Sequence, residues 1–251
     1  MMVLSIALRE FRSMLNSLLS WIVLAGMSLI IFLILVALVN AYLENPASSL
    51  ESPGVTSTIV ATIFYFSAYL FILIAPMLTM RSFSTEFKNG TSQLLFSAPV
   101  SMTEIVLGKC LGLYFFTLLI SILPILVTLS LVFGTDLDNG LYMSSLLGFI
   151  LVTFTFITIG VFASALTDHI GIAALGGLGI IMVLFWLVDL VASLVKVELL
   201  ANALQYLSIS GHAAAFYNGQ VNSNDIVFFV LIITTFIVLT IRRLDSYRLQ
   251  H

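Results

Sequence analysis

Apolar residues fill this chain in long blocks, and the polar positions cluster where the blocks break. Runs of about 18 or more mainly apolar residues recur, the length that crosses a hydrocarbon core as a helix. Their borders predict six spans, at about 19–40, 57–80, 105–133, 141–166, 170–194 and 225–241. Trp21 and Tyr42 flank the first, at the interfacial level that aromatic rings prefer. Pro76 and Pro124 fall inside the second and third, where proline kinks a helix. In the fourth, Thr153, Thr155 and Thr158 can bond back to their own helix. The fifth carries Gly171, Gly176, Gly177 and Gly179, which permit close approach of a neighbouring helix.

Three segments depart from this pattern. Over residues 3–18, Leu4, Ala7, Leu8, Phe11, Met14, Leu15 and Leu18 share one helical face, with Arg9, Arg12, Ser13 and Asn16 elsewhere. That predicts an amphipathic helix in the headgroup plane; the alternative is a simple extension of the first span. Residues 195–225 are less apolar but keep a helical pattern through Leu199, Leu200, Ala203, Leu204 and Leu207, which predicts short helices between spans five and six. The third segment, Arg81 to Lys109, mixes both charge signs with a helical apolar stripe. Phe83 and Phe87 lie four apart and share a face, with Glu86 and Lys88 beside them. Gly90 can stop that helix at low steric cost, and Pro99 marks a second break before Ser101. The stretch reads as a cytoplasmic docking element.

Composition decides the class. Of 251 residues, 61% are hydrophobic and 8% charged, with a mean hydropathy of +1.18; a soluble domain carries about a quarter charged residues. The chain is therefore read as an all-α polytopic membrane protein, one transmembrane domain over residues 1–251. Six spans place Arg9, Arg12, Arg81, Lys88, Lys109, Arg242, Arg243 and Arg248 on one side and Lys196 alone on the other. Eight basic residues against one make both termini cytoplasmic, and five or seven spans would separate the two basic ends. The outer loops hold Glu44, Glu51, Asp136, Asp138, Glu198 and Asp225.

The chemistry is sparse. Gly108-Lys109 lacks the upstream glycine and the following Ser or Thr of a phosphate-binding loop, so no nucleotide hydrolysis is encoded and the chain is not read as an enzyme. His169 and His212 fall on opposite sides of the membrane and His251 is terminal, which argues against a multi-histidine metal site. Ser208 and His212 are close in sequence, but a nucleophile–base pair also needs an orienting group and an oxyanion site. The single Cys110 excludes an intramolecular disulfide or a CxxC site. The first apolar run is too long for a cleavable signal peptide, and no small-residue cleavage site follows it cleanly. Asp189 is read as the charged residue lying within a span. An intramembrane carboxylate is a candidate pathway residue, but about 10 Å past the span centre it can also reach the outer interface.

Met80-Arg-Ser-Phe-Ser, Glu86, Gly90-Thr91, Leu94-Leu95, Pro99-Val-Ser and Leu107-Gly-Lys109 resemble the ABC-2 class of ABC-transporter permeases. Within it, the likeness is greatest to the permeases associated with bacterial gliding motility. Tyr206-Leu-Ser, Asp225-Ile-Val and Arg242-Arg-Leu-Asp-Ser add a second match near the end. One departure is Ser92-Gln93, where relatives carry a hydrophobic residue and a glutamate, so position 93 offers no carboxylate for a salt bridge.

The resemblance implies a six-helix permease of the bacterial cytoplasmic membrane, paired with a second copy and seated on two cytoplasmic ABC ATPase subunits. These partners would hold the ATP and Mg; this chain would bind no cofactor and no nucleic acid. Residues 82–96 would form the coupling helix, with Phe83, Glu86, Phe87, Lys88, Gly90 and Thr91 meeting the ATPase and both phenylalanines in its groove. The 198–218 segment would cap the dimer pathway. The leading reading is the permease half of an ABC exporter. Membrane anchoring or mechanotransmission in a motility or envelope-assembly complex, with an accessory envelope protein, is an alternative, as is a secondary transporter.

Overall fold

Ser101 shows how local sequence sets this architecture. Its hydroxyl accepts a hydrogen bond from the Glu104 backbone N–H at 3.2 Å, and the Glu104 carboxylate accepts one from the Ser101 N–H at 3.1 Å. This reciprocal cap starts a helix at Met102, three residues before the border set by hydropathy. In the computed structural model, residues 2–44, 59–90, 100–133, 137–195 and 198–248 are described, and there is no strand among them.

In chain order the helices are α1 (Met2–Leu15), α2 (Leu18–Glu44), α3 (Ala61–Thr79), the short α4 (Ser84–Lys88) and α5 (Met102–Leu129). There follow α6 (Asn139–Leu166), α7 (Ile170–Met182), α8 (Val188–Leu194), α9 (Glu198–Leu207), α10 (Ile209–Tyr217) and α11 (Ser223–Arg248). Among the described residues, six helical segments are long and apolar enough to cross a membrane: α2, α3 running on through α4, α5, α6, α7 with α8, and α11. The protein is an all-α, multi-pass membrane protein. A π-helical turn at Val183–Leu187 joins α7 to α8; the wider turn re-aims the residues beyond it, Asp189 among them.

Helix α6 is the hub. Two thirds of its most apolar window (67%) is buried, against 17% for α2, so α6 sits in the core and α2 at the periphery. It packs against α3, α5, α7, α10 and α11. Phe149 meets Phe64 and Phe71 of α3 with ring centroids 5.9 and 6.0 Å apart, and Phe156 meets Phe185 edge-on at 5.6 Å. The threonines of α6 bond to their own carbonyls, Thr153 to Phe149, Thr155 to Leu151 and Thr158 to Phe154, as expected.

For residues 3–18 the separate amphipathic helix holds over the extension of the first span, and the expectation about the span-five glycines is corrected. The amphipathic α1 is separated from α2 by a turn at Asn16-Ser17, so it does not extend the first span. It also packs closely along the first half of α5. A Cβ at Gly112 would lie 2.6 Å from the Ala7 carbonyl oxygen, and one at Gly108 would lie 2.7 Å from Ile6 Cβ. The close helix contacts therefore use Gly108 and Gly112, together with Gly160 against Thr79 and Gly148 against Phe216. Of the glycines singled out in span five, only Gly177 approaches a neighbour; Gly171, Gly176 and Gly179 face open space.

Candidate functional site

Four chain segments meet at one end of the bundle: α1, the turn with α4, the start of α5, and the end of α11. They are the segments that the charge pattern assigned to a common side. Counting α5 from its cap at Ser101, Lys109 lies two turns inside the helix, with its side chain only 7% exposed. A cation at such a depth must be paired or accept a large desolvation cost.

Lys109 is well paired. Its Nζ donates to the Ser82 carbonyl at 2.6 Å and to Glu86 Oε1 at 2.8 Å. Glu10 of α1 approaches to 3.9 Å, and the ring of Phe83 lies below the ammonium at 4.9 Å from its centroid. One side chain thereby ties α1, α4 and α5 together by ionic, hydrogen-bond and cation–π contact. The expectation that Asp189 is the charged residue within a span is corrected, because Lys109 lies within α5 and is buried.

Helix α4 is held from its other side by α6. Ser164 Oγ accepts from the backbone N–H of Phe83 at 3.0 Å and of Ser84 at 3.1 Å, and donates to the Met80 carbonyl at 3.1 Å. Ser84 Oγ also donates to the Met80 carbonyl. The first turn of this five-residue helix, which has no side-chain cap of its own, thus borrows its hydrogen-bond acceptor from α6.

The predicted contact residues separate by depth. Phe83 is fully buried against its own chain, so its ring is not available to a partner groove; it anchors α4 instead. Phe87 stacks on Phe83 at 6.5 Å, meets Tyr247 of α11 in a tilted contact at 4.8 Å, and is half-buried. Glu86 is partly buried on Lys109. Lys88, Asn89 and Gly90 are exposed, and Gly90 ends the turn with φ of +69°, the left-handed stop that glycine supplies. Thr91, Ser92, Gln93, Pro99 and the rest of the predicted 82–96 helix beyond Gly90 lie outside the described residues.

The opposite end is built from α9 and α10, the predicted pair of short helices. His212 Nδ1 lies 2.6 Å from Asp225 Oδ1, and its Nε2 lies 3.0 Å from the Tyr206 carbonyl oxygen. Phe228 stacks on the imidazole at 3.9 Å, and Asn222 donates to the second Asp225 oxygen at 3.1 Å. Asp189 is exposed near this end and accepts from Ser210 Oγ at 3.4 Å, far from the Lys109 joint. Ser208 caps α10 through the Gly211 N–H and is no nucleophile paired to His212.

Lys109, Glu10, Ser82, Ser164 and Tyr247 escaped the sequence reading as site residues. For Lys109 a signal existed: it stands inside the span placed at 105–133, and the Ser-x-x-Glu box at 101–104 starts that helix still earlier. For Ser164 and Tyr247 nothing local points to α4; only the folded chain brings them there. No curated protein matches the chain. The profile of the ABC-2 family transporter proteins, in contrast, matches residues 4–247, nearly the whole length, and the chain belongs to that family.

Proposed function

We propose that this chain is the permease subunit of an ABC exporter, working as a pair and driven by ATP and Mg bound to separate ATPase subunits. Members of this family are membrane components and not ATPases, which agrees with the missing phosphate loop. The basic bias supports a cytoplasmic α1/α4 end in a bacterial inner membrane, and the resemblance around residues 80–109 supports a kinship with the gliding-motility permeases.

In this reading α4 is the coupling helix. Lys88 to Gly90, and Phe87 in part, face the ATPase, while Phe83 and Glu86 face inward. Closure of the ATPase displaces α4, and Lys109 passes that displacement to α5 and, through Glu10, to α1. The observation that carries the proposal is the two-sidedness of α4: its first turn is fastened to α5 and α6, and its far end is exposed. Asp189 would border the route of the cargo at the outer end.

Co-expression with the cognate ATPase tests this. Lys88→Glu and Phe87→Ala should each lower the ATPase recovered with the permease by about tenfold, the scale of one lost charge-assisted or anchor contact. Recovery at the wild-type level in both variants would contradict the assignment.

A further inference from the structure

A cleft of about 480 Å³ opens between α1, α3, α4, the start of α5 and the first turn of α2. Three cations, Arg9, Arg81 and Lys109, and two carboxylates, Glu10 and Glu86, line it. Lys109 is engaged by both carboxylates, while Arg9 and Arg81 stand exposed at the rim. The balance leaves one positive charge.

The wall is prepared for an acceptor-rich ligand. Ser82 is 2% exposed, and its Oγ has no hydrogen-bond partner among the described residues; nor has the buried Oγ1 of Thr85 in the next turn. A buried hydroxyl without a partner is costly, so two on the wall of one cleft call for an occupant. Residues Ser17 to Ser20 bring the N-terminus of the 27-residue α2 to the same cleft, where the first backbone N–H groups lack intrahelical partners and the helix dipole favours an anion. Above this polar base the lining turns apolar at Met14, Leu18 and Met77, and Leu18 is 76% exposed.

We propose that this cleft holds the phosphodiester of an anionic phospholipid. The headgroup phosphate takes donors from Arg9, Arg81 and Ser82, and the acyl chains rise along Leu18 and Met77. A phosphodiester carries the single negative charge that the cleft leaves unbalanced, and the apolar rim distinguishes a lipid from a free phosphate. Because Ser82 and Glu86 belong both to this cleft and to the Lys109 joint, the bound lipid braces the α1–α4–α5 contact. The proposal requires a membrane-spanning chain but no ATPase, so it can fail without touching the function proposed above.

The test is native mass spectrometry of the full, delipidated chain, titrated separately with phosphatidylglycerol and phosphatidylcholine. One phosphatidylglycerol per chain should be retained, with phosphatidylcholine about tenfold weaker. Arg9→Ala with Arg81→Ala should lower phosphatidylglycerol retention by about tenfold, and Ser82→Ala, which removes only a hydroxyl, by about threefold. Arg12→Ala, exposed on the same helix outside the cleft, should leave it unchanged. An excess of inorganic phosphate should not displace the lipid. Equal retention of the two lipids, equal loss in Arg12→Ala, wild-type retention in the Arg9/Arg81 and Ser82 variants, or displacement by inorganic phosphate would each overturn the proposal.

Discussion

The two ends of the bundle solve the problem of a polar group near lipid in different ways. At the α9/α10 end, His212, Asp225, Asn222 and the Tyr206 carbonyl lie within twenty residues of one another and satisfy each other locally. At the α1/α4 end, Lys109 gathers Ser82, Glu86 and Glu10 from positions 23 to 99 residues away, and Ser164 reaches back about 80 residues to the α4 backbone. The local network ties α9 and α10 only to the start of α11. A network across α1, α4, α5 and α6 cannot shift at one member without pulling on the others.

The contrast predicts unequal damage. Lys109→Met should cost the most, about 3–5 kcal/mol, because it strands Glu86 and Glu10 in a poorly solvated site. Its thermal midpoint in detergent should fall well below that of Asp225→Asn, which disturbs one local pair. Equal midpoints would remove the distinction between the ends. Gly112→Val should rank next, at about 1–3 kcal/mol, because a side chain there meets the Ala7 carbonyl at 2.6 Å and lifts α1 off α5. Cysteine cross-linking of α1 to α5 should weaken in this variant.

His212→Ala should cost about 1–2 kcal/mol through the lost bonds to Asp225 and Tyr206, and leave ATPase recovery at the wild-type level. A drop in recovery would join the two ends and break the comparison. Gly171→Ala should change stability by no more than about 0.5 kcal/mol, since nothing lies within 4 Å of its added methyl.

The spans and their common-sided loops were legible because hydropathy and basic residues answer directly to the bilayer. The short helices at 198–217 were legible from their apolar spacing. Depth within the joint was not. The i, i+4 spacing puts Phe83 and Phe87 on one face, but only packing decides that Phe83 turns inward while Phe87 remains at the edge. Glycines mislead for the same reason: those of α7 outnumber those of α5, yet Gly108 and Gly112 carry the close contact because α1 folds back across them. The carboxylate that drew attention, Asp189, lies exposed at the α9/α10 end, while the burial of Lys109 comes from α1 and α4 closing over α5, which no local pattern announces.

The central claim is that α4 moves together with α5 because Lys109 joins them. Spin labels at Lys88→Cys and Leu118→Cys, both exposed positions, report the α4–α5 distance in the permease–ATPase complex, with the native Cys110 buried. A third label at Leu175→Cys on α7 reports movement relative to the rest of the bundle. When ATP is trapped on the ATPase, the 88–118 distance should stay fixed while the 118–175 distance changes, and Lys109→Met should release the first distance. A change in 88–118 with 118–175 unmoved would show that α4 shifts alone, and would contradict the account.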